Sequence, residues 1–73
     1  MNIEDLRPNL IVQDGRETLK VSTIYSDNHV TAQVVLPVPL RTTVRHYDAF
    51  AVGGWRAVSD KKYADYEAAY SHV

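Results

Sequence analysis

The chain must hold itself together without a single cysteine, and it has only 73 residues in which to do so. Neither disulfides nor thiolate metal sites can supplement its core. A domain of this length buries only about 60% of the surface that its unfolded form exposes. It has material for one core, so residues 1–73 are expected to form a single domain, stabilised by packing and helped by self-association or a partner. Apolar residues make up 45% of the chain. That is enough for a core and too much for a disordered tail.

The apolar residues are distributed mostly with the period of strands. Asn2 through Leu6 can form one helical turn, with Asn2 as cap and Glu4 and Asp5 in the first turn. Arg7-Pro8-Asn9-Leu10 reads as a β-turn, because proline presets the first central residue and asparagine tolerates positive φ at the second. Leu10 through Gln13 is a short strand ending in Asp14-Gly15, a strong hairpin signal that predicts a type I′ turn. The return strand, Glu17 through Tyr25, places Leu19, Val21, Thr23 and Tyr25 on one face and Lys20, Ser22 and Ile24 on the other. Ile24 breaks that alternation, which predicts a bulge or a strongly twisted strand.

Ser26 through His29 makes the next turn, and Val30 through Leu36 the third strand. Pro37 and Pro39 end it, since neither can donate to a ladder. Leu40 through His46 reads as a fourth strand with Arg41, Thr43 and Arg45 on a wet face. Tyr47 through Phe50 reads as a tight turn or a single 3₁₀ turn, Gly53-Gly54 as a joint, and Trp55 through Val58 as a fifth strand. Ser59 or Asp60 caps a helix running to about Ser71, on which Tyr63, Tyr66 and Tyr70 share one face and Lys61 can pair with Asp65.

Five short strands, two tight turns, a one-turn element before the last strand and an appended helix resemble the SH3-like small barrels, in the loose sense that includes KOW and Tudor modules. The resemblance rests on Leu6-Arg7-Pro8-Asn9-Leu10-Ile11-Val12, on the Gln13-Asp14-Gly15-Arg16 hairpin, and on Val44 through Phe50 before Trp55. It implies a mainly β fold: a five-stranded SH3-like small barrel over residues 6–58 with a C-terminal α-helix over residues 59–72. The usual glycine after the proline is Asn9 here. The acidic-aromatic signature of true SH3 domains is absent, so a proline-rich ligand does not carry over, and fold does not imply function.

Charge narrows the partners. The formal net charge is −1, whereas a dedicated nucleic-acid binder is usually strongly basic. The distribution is uneven: residues 40–62 carry five basic and two acidic side chains, so a local basic patch remains open. The longest apolar stretch, Val34 to Leu40, contains two prolines and falls far short of the ~20 residues that span a bilayer. The N-terminus is acidic where a signal peptide would be basic. A cytoplasmic location is therefore the expectation.

Nothing in the sequence resembles catalytic apparatus. His29, His46 and His72 lack metal-ligand spacing; His29, in a turn, and His72, near the end, read as exposed and inert, and in His46-Tyr47-Asp48 adjacent strand residues point to opposite faces. No nucleophile elbow or phosphate-binding loop is present, so an enzyme is not expected, nor is a cofactor or metal. Tyr63, Tyr66 and Tyr70 either pack the helix across the barrel or stay open as an interface, through which homodimerisation could also run. Pro37, Val38 and Pro39 form either a barrel-closing connection or a loop that inserts into a partner. Trp55 reads as core; exposed beside Tyr47 it would stack a base or cap a cation.

The first expectation is a small non-enzymatic protein-binding or adaptor module, of a size that suits a phage or mobile-element accessory protein modulating a host complex. It would dock through the tyrosine helix and the Pro37–Pro39 loop. The alternative is weak RNA or DNA binding by Arg41, Arg45, Arg56, Lys61, Lys62 and Trp55, with Arg56 on the strand beside Arg45.

Overall fold

The computed structural model describes residues 1–25, 28–36 and 43–71, with side chains described through residue 69. A 3₁₀ turn, Ile3–Asp5, leads into β1 (Ile11–Asp14), β2 (Glu17–Tyr25) and β3 (His29–Leu36). There follow β4 (Arg45–Asp48), α1 (Ala49–Val52), β5 (Arg56–Ala57) and α2 (Asp60–Ser71). The strands form one antiparallel sheet in the order β4-β3-β2-β1-β5. The protein is therefore mainly β with a C-terminal helix, as the alternation predicts. The sheet is not closed by a ladder between its edge strands.

The turns carry the expected backbone with two changes. Asn9 has φ 71° and Leu10 N–H donates to Arg7 O at 3.2 Å, the pattern of a type II turn. In the hairpin, Asp14 pairs with Glu17, so the central residues are Gly15 and Arg16 rather than Asp14 and Gly15. Only Gly15 of that pair has positive φ, at 59°, which makes the loop II′-like instead of the expected I′. Gln13 Nε2 donates to Gly15 O at 2.8 Å and Thr18 Oγ1 donates to Gln13 Oε1 at 2.7 Å, so side chains brace this turn. At the N-terminus, the Asn2 side chain makes no cap bond to the 3₁₀ turn, contrary to expectation.

Two bulges bend the sheet. Val21 pairs with Ala32 and Thr23 with Thr31, leaving Ser22 as an extra residue in β2. The bulge predicted from Ile24 is therefore real, and it corrects the expected faces. Past Ser22 the alternation inverts: Ile24 packs against the core, while Thr23 and Tyr25 turn outward. A second shift leaves Val35 as the extra residue of β3 opposite Thr18 and Leu19. Bulges raise local twist and coil, which a five-stranded sheet needs if it is to wrap a core.

The core holds Leu6, Val12, Leu19, Val21, Val30, Ala32, Val34, Val52 and Trp55. Tyr47 of β4 meets Trp55, just before β5, edge to face at 5.0 Å. This ring contact links β4 to the residue that precedes β5, and no hydrogen-bonded ladder joins the two edge strands. The terminal amine of Met1 donates to Gly53 O at 3.2 Å and to Trp55 O at 3.4 Å, tying the first residue to the same seam. Trp55 Nε1 is buried without an acceptor among the described residues.

The expected fourth strand is displaced. β4 begins at Arg45, Thr43 and Val44 lie outside any strand, and residues 40–42 fall outside the described residues. The Tyr47–Phe50 turn is correspondingly replaced: Tyr47 and Asp48 are strand, and a helical turn follows from Ala49. At the far end, Ser59 Oγ accepts from Lys62 N–H at 3.2 Å and caps α2, which then packs lightly against β3.

Candidate functional site

The most exposed large apolar side chain among the described residues is Phe50, at 93%. It stands on α1, whose geometry is set by Asp48: its Oδ1 accepts from Ala51 N–H at 2.9 Å, and Gly53 N–H closes the turn on Ala49 O. Two positions on, Val52 is fully buried. Residues two apart on a helical turn lie on nearly opposite sides, so burying Val52 drives Phe50 into solvent. This aromatic ring is displayed by a capped turn joined to the core.

The outer face of the sheet holds a second cluster. The ladder sets Tyr25 beside His29 and His29 beside Asp48, and Thr23 beside Thr31 and Thr31 beside His46. Tyr25 and His29 rings lie 5.9 Å apart, and the His29 and His46 rings meet edge to face at 4.9 Å. His46 Nδ1 and His29 Nε2 share a hydrogen bond of 3.0 Å. These two histidines are therefore partners of each other, which their sequence spacing does not announce. Thr31 Oγ1 accepts from Thr23 N–H at 3.1 Å, which satisfies backbone freed by the Ser22 bulge.

The residues expected to form a site are described only in part. On α2, Tyr63 and Tyr66 are half-buried, and every other side chain from Asp60 to Ala69 is exposed. The tyrosines thus share the packing role and the open role between them. Burial, then Glu67 nearby, pushes the Tyr63 hydroxyl above its ordinary pKa. Lys62 Nζ stands 6.0 Å over the Tyr66 ring, while Lys61 and Asp65 do not form the expected pair. The side chain of Tyr70, and all of Pro37, Val38, Pro39 and Arg41, lie outside the described residues.

Of the expected arginine face, Arg45 and Arg56 are described and Arg41 is not. Arg45 Nη1 donates to both carboxylate oxygens of Glu17, at 2.9 and 3.2 Å. Its pKa is raised by hydrogen bonding to Tyr47 and by the charge of Glu17. Arg56 is on β5, at the opposite edge of the sheet from β4 and not on a neighbouring strand. Trp55 is 3% exposed, so its ring faces are committed to the core. Lys61 and Lys62 are exposed at the start of α2.

A shallow groove of about 610 Å³ runs between Arg7–Ile11 and Ala57–Asp60, with Arg7 at one side and Asp60 at the other. Among the described residues no three histidine, aspartate or glutamate side chains gather as a metal cage, and no helix is long and apolar enough to cross a membrane.

Sequence reasoning missed Phe50 and the histidine pair. For Phe50 the signal was present: Ala-Phe-Ala-Val after a capping aspartate allows only one of Phe50 and Val52 to face the core. The histidines, seventeen residues apart, meet only through the register of β3 and β4, which no local pattern announces. Comparison of the chain with protein-family models, with curated proteins and with solved structures finds no match.

Proposed function

We propose that this chain is a small non-enzymatic protein-binding module, built as an SH3-like barrel, that docks through Phe50 with help from the open side of α2. The barrel reading is supported by the two bulges, by the ring contact between Tyr47 of β4 and Trp55, and by the one-turn helix before the last strand. The observation that carries the functional reading is the 93% exposure of Phe50 on a capped turn. Burying such a ring on a partner is worth roughly 1.5–3 kcal/mol, and aromatic anchors of this kind are enriched at interface centres. Tyr63 and Tyr66 add aromatic area that the fold itself covers only in part. Nucleic-acid binding has less behind it, because Arg45 is already paired, Arg56 is not on a strand hydrogen-bonded to β4 and Trp55 is buried.

The test is capture of a partner from nuclease-treated host lysate, followed by titration of the purified partner with wild type, Phe50→Ala and a Tyr63→Ala/Tyr66→Ala double variant. The expected result is a discrete protein whose affinity falls at least about tenfold in Phe50→Ala, with the circular dichroism of that variant unchanged. Sedimentation of the chain alone shows whether the partner is a second copy. Bound material that disappears with nuclease, or affinity indifferent to Phe50, would overturn the proposal.

A further inference from the structure

The histidine pair brings two ring nitrogens from neighbouring strands within reach of one ion. We propose that His29 Nε2 and His46 Nδ1 together bind one divalent transition-metal ion on the outer face of the sheet, with water filling its remaining positions. The two nitrogens approach to 3.0 Å from different strands. Their approach is fixed by the pairing of His29 with Asp48 and of Thr31 with His46. A hydrogen bond between ring nitrogens needs one N–H and one lone pair facing each other. On metal binding the donor ring moves that proton to its other nitrogen, so that both facing nitrogens offer lone pairs to the ion.

An ion bound by both rings at about 2.0–2.1 Å from each nitrogen holds them roughly 2.9–3.4 Å apart, and the pair already stands at 3.0 Å. Imidazole pairs take Cu²⁺, Ni²⁺ and Zn²⁺ alike, and the general affinity order puts Cu²⁺ first. His46 is exposed and His29 half-buried, which leaves the ion open to water. Asp48, across the ladder from His29, uses Oδ1 to cap α1, and no third histidine, cysteine or carboxylate joins the pair among the described residues. Such a site is exchangeable, and an ion in it joins the edge strand β4 to β3.

The experiment titrates the full metal-free chain with Cu²⁺, Ni²⁺ and Zn²⁺ by calorimetry, with His29→Gln, His46→Gln and His72→Gln in parallel. One equivalent is expected, with Cu²⁺ tightest. Each of the first two variants should weaken binding at least about tenfold, because the second ligand no longer acts intramolecularly, and His72→Gln should bind like wild type. Imidazole nitrogen shifts of the unmutated chain during the Zn²⁺ titration give a readout independent of any variant's folding, and both His29 and His46 should move together. Binding that survives both substitutions, that depends on His72, or that is absent at millimolar metal overturns the proposal.

Discussion

Phe50 and Val52 make a paired test of how α1 is seated, because they are neighbours on one turn with opposite exposures. Phe50 is 93% exposed. A fully buried aromatic side chain hides roughly 200 Å², so the fold covers only a small part of this ring. At about 25 cal/mol per Å², that contact is worth a few tenths of a kcal/mol. The better helix propensity of alanine, also worth several tenths, offsets it. Phe50→Ala should therefore leave stability within about 0.5 kcal/mol of wild type. Val52 is fully buried against the core. Val52→Ala removes two methylene equivalents, about 1.6 kcal/mol of transfer free energy, and adds a cavity penalty, for a loss of roughly 2–3 kcal/mol. With a urea dependence near 1 kcal/mol per molar, expected for so short a chain, the midpoint should drop by about 2–3 M for Val52→Ala and by less than about 0.5 M for Phe50→Ala. Equilibrium urea unfolding followed by Trp55 fluorescence reads both. A large loss in Phe50→Ala would mean that the ring is buried against this chain, and the anchor argument would fail with it.

Gly15→Ala should destabilise by about 1–2 kcal/mol in the same assay: its φ of 59° penalises a Cβ although the surrounding space is open. Gly15→Asn should cost less. The raised pKa of Tyr63, caused first by burial and then by Glu67, means that the folded state favours the neutral phenol. Its contribution is fully present below the ordinary tyrosine pKa near 10 and is lost as pH rises through the higher folded value. Wild type should therefore lose midpoint more steeply than Tyr63→Phe as pH rises above the ordinary tyrosine value near 10, and Glu67→Gln should lower the Tyr63 pKa by ultraviolet titration. Deleting Ser22 should remove the bulge yet keep Ile24 inward and Tyr25 outward, because Thr23, Ile24 and Tyr25 then follow Val21 in strict alternation and in their present register. The expected loss in urea unfolding is under about 1 kcal/mol, and a larger one would show that the twist supplied by the bulge is itself needed.

Legibility in the sequence followed the range of the physics. Asn9, Gly15 and the Ser59 cap depend on a few adjacent atoms, and all three were found at or beside the expected position. Strand periods were read from alternation, which survives any fold that buries one face. The hairpin slipped by one residue because Asp-Gly and Gly-Arg both suit a two-residue loop, and only the pairing of Asp14 with Glu17 decides between them. The paired state of Arg45 was not legible, since its partner Glu17 is 28 residues away on a strand separated from β4 by β3. Non-local register, not propensity, determines such contacts.

The Ser22 bulge shows how one extra residue can create a surface that composition does not announce. Were Ser22 paired as a regular ladder residue, Tyr25 would share the inward face of Leu19 and Val21, as strict alternation requires. With the bulge, Ile24 takes the inward position and Tyr25 joins His29 and Asp48 on the outer face. The reversal costs one disrupted ladder position, which the Thr31 hydroxyl offsets by accepting from Thr23 N–H. Thr31 sits between Thr23 and His46 in the same row, so the residue that repairs the bulge also borders the histidine pair. Replacing Thr31 with valine, which keeps the shape and removes the hydroxyl, should therefore both destabilise the sheet and disturb the approach of His29 to His46. That coupling would not exist if the outer face were only a solvated surface.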